Sequence, residues 1–207
     1  MGLIYAELLP VAAYLIAFRP WGYYIPAMIV CGMDEVGRGA LAGPLVAAAT
    51  ILDKDTKIIK RLRDSKKLTP KQRAKIYGEI KKSGAIIAVE EISARQINFR
   101  GMGWANKEIF RRLKKKIPAD KYIADGNLKI AGITSIVKAD TKIPEVMAAS
   151  IIAKVFRDRI MDHLHEQYSK YGWQSNKGYG TKYHIAAIKE HGVTKYHRKK
   201  FVETALK

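Results

Sequence analysis

The sequence has a single cysteine, Cys31, in 207 residues. One thiol excludes an internal disulfide framework and a zinc site built from cysteines, and it suits a reducing cytoplasm, where we expect the protein to act. Zinc sites built from histidines are also not expected, because two of the histidines are two residues apart on a predicted helix and the others lack a carboxylate at motif spacing. We expect the histidines to lie on the surface or to contact phosphate; they are His163, His165, His184, His191 and His197.

Acidic side chains are scarce, since 19 Asp and Glu stand against 38 Lys and Arg, which gives a formal net charge of +19. Such a balance favours a polyanionic partner, most often nucleic acid. The alternative is a basic protein with no such partner. Glu7 and Arg19 are the only charged residues before Met28, so the whole excess lies in residues 28–207.

A hydrophobic run long enough to cross a bilayer is also missing, even in the apolar, aromatic residues 1–27. The longest uncharged run there, residues 8–18, is too short, and neither a basic segment nor a cleavage site marks a signal peptide. A membrane anchor that tolerates Arg19 is the alternative; we expect no stable membrane association. We expect residues 1–27 to be an extension of unknown role outside the functional domain, residues 28–207, with Met28 as a candidate natural start.

From Met28 onward, short β-branched runs alternate with amphipathic stretches. This alternation predicts an α/β domain with a central sheet, in which sites form where strands end and loops diverge. Strands are predicted at 28–33, 45–52, 85–90, 121–124 and 133–137. Helices are predicted at 70–82, 104–116, 144–169 and 181–190.

Acidic residues follow three of the predicted strands. Asp34 and Glu35 follow the first, Asp125 follows the run 121–124, and Asp140 follows the run 133–137. A carboxylate at the end of a buried strand is costly unless it is neutralised, and oxygen ligands suit Mg²⁺ or Mn²⁺. The alternative is that these acids form turns or cap helices, which for Asp140 alone is an equally good interpretation.

The segment Gly37-Arg38-Gly39 comes directly after the first pair of acids. A glycine turn that only ends the strand would explain it. Its position beside a predicted metal site favours a second interpretation, because backbone without side chains can closely approach a sugar or a phosphate.

Several motifs in this order resemble bacterial ribonuclease HII, the type 2 ribonucleases H. They cover the chain from Met28 to Leu206 and are DEVGRGALAGPLVAAA (34–49), LRDSKKLTP (62–70), ADGN (124–127), KAD (138–140), AASIIAKVFRDRIM (148–161), NKGYGTKYH (176–184) and YHRKKF (196–201). The resemblance implies an RNase H-like fold, with a mixed central sheet flanked by helices and a helical C-terminal portion that helps to grip a duplex. Residues 28–207 would then be the catalytic domain.

The resemblance also implies an endonuclease that cuts the RNA strand of RNA–DNA hybrids, and 5′ to a ribonucleotide embedded in duplex DNA. The metal-binding acids of the family fall on Asp34, Glu35, Asp125 and Asp140, which would hold two Mg²⁺ or Mn²⁺ ions and leave 3′-hydroxyl and 5′-phosphate products. The backbone of Gly37, Arg38 and Gly39 would read the ribose 2′-hydroxyl. Tyr179 would stack on the sugar of the following deoxynucleotide; a buried structural tyrosine is the alternative.

Other basic residues carry weaker expectations. Lys66 and Lys67 stand before a predicted helix and would contact phosphate, or else be solvated lysines. Arg157-Asp158-Arg159 is expected to be a structural ion-pair cluster on the long helix. The chain departs from the family at Ala139, where glycine is usual, and follows the family pattern only loosely over residues 91–110.

Two other functions fit parts of the sequence. A catalytically silent nucleic-acid-binding module would have the same basic charge, but it has no use for clustered acids facing phosphate. Another polynucleotide nuclease or transferase of the same fold would also use the acids, and would cut duplex made only of DNA. Nothing in the sequence calls for more than a monomer.

Overall fold

The computed structural model describes residues 28–53, 57–62 and 68–207. Its centre is a five-stranded sheet in the order β3-β2-β1-β4-β5. The strands are β1 (Val30–Val36), β2 (Leu45–Ile51), β3 (Ile86–Ile92), β4 (Lys121–Asp125) and β5 (Thr134–Ile136). Strands β1, β2 and β3 pair antiparallel, whereas β4 is parallel to β1 and β5 is parallel to β4. The predicted mixed sheet is therefore confirmed.

The helices flank this sheet. They are α1 (Pro70–Lys82), α2 (Ala94–Arg100), α3 (Met102–Lys116), α4 (Pro144–Gln167), α5 (Trp173–Asn176), α6 (Lys182–His191) and α7 (Lys199–Ala205), with 3₁₀ turns at Lys57–Arg61, Ala139–Thr141 and Ser169–Tyr171. Helices α1, α2 and α3 lie between strands in the chain, and α4 to α7 follow the last strand. No helix in the described part of the chain combines the length and the apolarity needed to cross a bilayer.

The four predicted helices are confirmed to within two residues. Helix α1 keeps its predicted bounds because Thr69 caps it: the Thr69 hydroxyl accepts from the backbone N–H of Gln72, and the Gln72 side chain accepts from the Thr69 N–H. Helix α2 was not predicted, although the same kind of box, formed by Ser93 and Gln96, opens it. Ser93 followed by Gln96 three residues later is a sequence pattern that could have predicted this helix, within the segment that follows the family pattern only loosely.

Strand β1 is longer than predicted. Its pairing with β2 continues through Glu35 opposite Ala47 and Val36 opposite Val46, three residues beyond the predicted end at residue 33. Asp34 and Glu35 therefore lie within the strand, not after it. The apolar run stops at the acids, but the backbone ladder does not depend on side-chain polarity.

Two layers of helices bury the two faces of the sheet. Helix α3 covers one face, where Phe110 and Leu113 pack against Met33 on β1 and Leu45 on β2. Helix α4 covers the other face so closely that a Cβ on Gly32 would lie 2.2 Å from the carbonyl carbon of Glu145. Glycine at this position lets the longest helix approach β1 next to the acidic residues.

The helical C-terminal portion has a core of its own. Trp173 is fully buried there, with Leu164 of α4, Ile188 of α6 and Val202 of α7 around it. The cluster also includes Leu41 and Ala42, from the loop between β1 and β2. The C-terminal helices are thus packed against the glycine-containing loop that follows the first acids.

Candidate active site

Two acids meet at one edge of the sheet because β1 and β4 are parallel neighbours. Met33 is paired with Ala124, and the next residue on each strand is an acid, Asp34 on β1 and Asp125 on β4. The side chain of Asp34 accepts a hydrogen bond from Ser150 on helix α4. The register of the parallel pair therefore brings together two carboxylates that are 91 positions apart in sequence.

Asp140 joins them through a turn that follows β5. Ile136 at the end of β5 is paired with Asp125, and the backbone N–H of Ala139 donates to Oδ1 of Asp125 over 2.7 Å. Asp140 is the next residue, in a 3₁₀ turn, and is 3% exposed. Lys138, with φ of 60°, makes the left-handed bend that turns the chain back toward the sheet. Ala139 has no positive φ, so alanine fits here in place of the glycine usual in the family.

The carboxylates influence one another electrostatically. The pKa of Asp34 is raised to about 8 by burial and by the charges of Glu35 and Asp125, against the opposing effect of the Ser150 hydrogen bond. The pKa of Glu35 is raised to about 7, chiefly by burial; the charge of Arg38 opposes the rise, and those of Asp125 and Asp140 add to it. Each predicted acid thus acts on at least one of the others.

The donor set fits a hard divalent cation. The four acids offer only oxygen atoms, and a bound cation would relieve the burial and the repulsion that raise the pKa values of Asp34 and Glu35. Among the described residues, no three His, Cys, Asp or Glu side chains are already grouped closely enough to hold one ion. The acids therefore converge on one edge of the sheet without forming a closed ligand cage.

Two glycines of the loop that follows β1, Gly37 and Gly39, have different surroundings. Gly37 has φ of +89°, and a Cβ there would lie 2.1 Å from Nε of Arg157, so only glycine fits. Gly39 is exposed and has no atom within 4 Å of its Cβ position. The inner side of the loop is thus packed against protein, and its outer side leaves bare backbone accessible beside the acids.

Two buried arginines hold this loop in place. Arg157 on α4 donates to the carbonyl oxygens of Pro44, Ala42 and Lys177 over 2.8–3.1 Å. Arg198 donates to those of Gly43, Gly37 and Arg38 over 2.6–3.1 Å, although its Nη2 is buried without a partner among the described residues. Both guanidinium groups are fully buried.

The prediction of an ion-pair cluster at residues 157–159 is therefore wrong for Arg157. Its guanidinium is buried and donates to three backbone carbonyl groups, not to Asp158. Asp158 forms its ion pairs with Lys154 at 2.6 Å and with Arg73 at 3.7 Å. Arg159 is exposed and lies over the ring of Tyr77.

Tyr179 lies next to the loop, as a substrate-contacting residue would. The carbonyl of Gly178 accepts from the backbone N–H groups of Leu41 and Ala42, and the guanidinium carbon of Arg157 is 5.3 Å from the centre of the Tyr179 ring. The residue is half-buried. The Tyr179 ring thus contacts the buried Arg157 while the residue stays partly exposed.

The expectation that histidines lie on the surface or contact phosphate is wrong for His184 and His197. They are 0% and 1% exposed, and their rings bond to each other in the C-terminal core. No sequence pattern indicates this contact, because the 13-residue separation of the two histidines matches no motif. Ser150 and Arg198 were likewise not predicted as parts of the site. Lys66 and Lys67, the predicted phosphate contacts, lie outside the described residues.

The chain is similar in sequence to proteins of one known family. A family model described as Ribonuclease HII matches residues 31–118 and 114–204. Ribonuclease HII of Pelagibacter ubique (strain HTCC1062) is 44% identical over 181 residues, which cover 84% of this chain and 95% of that protein.

Solved structures have the same fold. The PCNA:RNase HII complex from Archaeoglobus fulgidus matches with a TM-score of 0.74 and 26% identity, over 83% of this chain and 94% of that one. Ribonuclease H2 from Pyrococcus horikoshii OT3 matches with a TM-score of 0.70 and 28% identity, over 87% of this chain and all of that one. The RNase H-like fold that the motifs implied is confirmed.

Proposed function

The chain belongs to the ribonuclease HII family, and on that premise we propose that it cuts 5′ to single ribonucleotides in duplex DNA as well as within hybrids. Membership makes it a metal-dependent endonuclease with ribonuclease H activity on RNA–DNA hybrids. The finer specificity and the roles of individual residues are the proposal. The observation that carries it is the meeting of coupled acids from β1, β4 and the turn after β5 beside a glycine loop with exposed backbone.

The acids are proposed to hold two divalent cations, Mg²⁺ or Mn²⁺. Asp34 and Asp125 are placed by the parallel strand pair, Glu35 by the extension of β1, and Asp140 by the turn that the Ala139–Asp125 hydrogen bond fixes. Such ions, when bound, activate a water for in-line attack and stabilise the departing 3′ oxygen. Ser150 keeps the Asp34 carboxylate oriented, and the products are a 3′-hydroxyl and a 5′-phosphate.

Substrate selection is proposed to lie with the loop and the tyrosine. The backbone of Gly37, Arg38 and Gly39 binds the ribose 2′-hydroxyl, which distinguishes RNA from DNA at one position. The exposed part of the Tyr179 ring stacks on the sugar of the next deoxynucleotide. Lys66 and Lys67 add phosphate contacts, and the net charge of +19 attracts the duplex as a whole.

A single-ribonucleotide assay tests the proposal. A DNA duplex with one internal ribonucleotide, an RNA–DNA hybrid and an all-DNA duplex are incubated with Mg²⁺ or Mn²⁺, with and without EDTA. We expect metal-dependent cutting of the first two, with 5′ cleavage at the single ribonucleotide. Binding without cutting would support a silent binding module, and equal cutting of the all-DNA duplex would support a general nuclease.

Further proposals concern the whole molecule. All four acids come from one chain, so we propose a monomer that acts in the cytoplasm without membrane association; light scattering of the purified protein checks the mass. Residues 1–27 lie outside the described residues, and we propose that residues 28–207 form the catalytic domain. A protein that begins at Met28 is expected to retain the cleavage rate of the full chain.

A further inference from the structure

Two buried histidines in the C-terminal portion form a hydrogen-bond network with defined donors and acceptors. Nε2 of His184 accepts from the indole N–H of Trp173 over 3.0 Å and lies 3.2 Å from Nε2 of His197. Nδ1 of His184 is 2.9 Å from the carbonyl oxygen of Tyr179. Nδ1 of His197 accepts from the backbone N–H of Thr194 over 2.8 Å.

These partners determine the tautomer of each ring. An indole N–H can only donate and a carbonyl oxygen can only accept, so His184 carries its hydrogen on Nδ1. His197 accepts at Nδ1, so its hydrogen is on Nε2 and is donated to Nε2 of His184. A second proton on His184 would place an N–H against two other donors. One on His197 would place an N–H against that of Thr194, where only the Thr194 hydroxyl, 3.0 Å away, is able to accept it. The backbone and indole donors are therefore all satisfied when both rings are neutral.

The two rings belong to the two segments that shape the proposed substrate site. His184 bonds to the backbone of Tyr179 itself. His197 precedes Arg198, whose backbone N–H donates to the carbonyl of Leu41 over 2.8 Å and whose guanidinium holds Gly37 and Arg38. The contact between the rings is thus a link between the tyrosine and the glycine loop.

We propose that the His184–His197 pair positions Tyr179 relative to the Gly37–Gly39 loop and so contributes to selection of the RNA–DNA junction. This inference rests on the proposed function for its substrate. The rings are positioning residues, since both are buried beneath the site and neither faces solvent. Because bonds to buried groups also contribute to stability, the tests include the Tyr179 ring signals and the ratio of two substrates, which a role confined to stability would not change.

The first test does not depend on activity. Long-range ¹⁵N–¹H correlation spectra of the full-length protein at pH 7 are expected to show His184 as the Nδ1–H tautomer and His197 as the Nε2–H tautomer. A doubly protonated ring or the opposite tautomer at either position would overturn the proposal.

The second test uses side chains that retain part of each bond set. In His184→Gln the amide oxygen can still accept from Trp173 and His197, but the bond to the Tyr179 carbonyl is lost. In His197→Asn the oxygen can still accept from Thr194, but the bond to His184 is lost. His163→Gln is the matched control, because His163 is exposed on α4 and contacts only Glu166 in the described structure.

Both core variants are expected to shift the ring signals of Tyr179 and to raise KM for the single-ribonucleotide duplex about tenfold, with kcat and the KM for a long hybrid changed less than about threefold. Urea unfolding curves recorded at several temperatures identify a temperature at which each variant is folded, and the kinetics are measured at that temperature. Unchanged Tyr179 signals, or an equal loss on both substrates, would overturn the proposal. A wild-type protein that cuts neither substrate would contradict the proposed function instead, and the ring signals would still decide whether the histidines position Tyr179.

Discussion

The acid cluster and the neighbouring glycine loop both bury charges of one sign, but they compensate them differently. Around the loop, burial lowers the pKa of Arg198 to about 9. The nearby charge of Arg157 also lowers it. Each of the two donates to three backbone carbonyls. In the acid cluster, the Ser150 hydrogen bond does not offset burial and repulsion, and the pKa of Asp34 rises to about 8.

The difference shows which region is complete within the protein alone. Carbonyl dipoles spread the positive charge of the arginines, so the loop has its shape before any ligand arrives. The acids carry a free-energy cost that a bound cation would remove. The buried arginines therefore stabilise the fold of the loop, whereas the buried acids are available for the proposed metal binding.

Removing one acid is the largest test of this difference. Asp34→Asn or Asp125→Asn is expected to lower cleavage at least about a thousandfold, because metal ions supply several kcal/mol of transition-state stabilisation. Binding of a labelled hybrid, followed by fluorescence anisotropy, is expected to survive. Near-normal turnover in either variant would remove that residue from the metal site.

Removing an arginine contact is expected to affect stability first. Arg157→Lys keeps the charge but cannot reach all three carbonyls, and leaving buried carbonyls unpaired is expected to lower the free energy of unfolding by about 2–4 kcal/mol. Urea denaturation measures it. Arg159→Lys, two residues along the same helix and exposed, is the matched control and should change stability by less than about 0.5 kcal/mol. Equal effects of the two substitutions would contradict the role of Arg157.

The pH dependence of stability separates the acids from the histidines. Because the folded pKa of Asp34 lies above its ordinary value of 3.8, the folded state binds more protons, and stability is lost as pH rises from about 4 to 8. In EDTA, Asp34→Asn is therefore expected to gain stability over wild type on the order of 5 kcal/mol at pH 8 and about 1–2 kcal/mol at pH 5. Urea denaturation at both pH values checks this, and an equal gain at both would contradict it.

The histidines titrate in the opposite direction. Burial lowers the pKa of His197 from 6.5 to about 4, with the neighbouring His184 adding to the effect. The unfolded chain then binds more protons below pH 6.5, so this contribution to stability is lost as pH falls from 6.5 toward 4.

Substitution of Tyr179 should give the smallest and most selective effect. Tyr179→Ala is expected to lower kcat/KM for the single-ribonucleotide duplex about tenfold, since stacking on one aromatic ring is worth about 1–3 kcal/mol. Cleavage within a long hybrid should fall less. The ratio of the two kcat/KM values is the measurement, and a uniform loss on both substrates would indicate a structural role only.

The sequence was sufficient where a local pattern decides the structure. Thr69 and Pro70 fixed the start of α1, and the acids after apolar runs pointed to the edge where Asp34 and Asp125 meet. It was insufficient where distant segments decide. Nothing local to Arg157 distinguishes an arginine that bonds to buried carbonyls from one in a surface ion pair, because its partners are 113–115 residues earlier and 20 residues later.

The same limit applies to the histidines and to the length of β1. A ring such as His197 is buried only because α6 and the 194–198 turn fold over Trp173, and β1 extends through Glu35 only because β2 pairs with it. The family motifs compensated for part of this, since they implied the mixed sheet and the four acids without any knowledge of strand order.

The bond from Arg198 to the carbonyl of Gly37 joins positions 161 residues apart. During synthesis on the ribosome, the strands that carry the acids emerge long before the arginine that shapes the loop beside them. A nascent chain can thus assemble its sheet while the surface proposed to recognise ribose is still unfinished. Under the proposed function, competence to select a substrate would then come only after residue 198 has been synthesised.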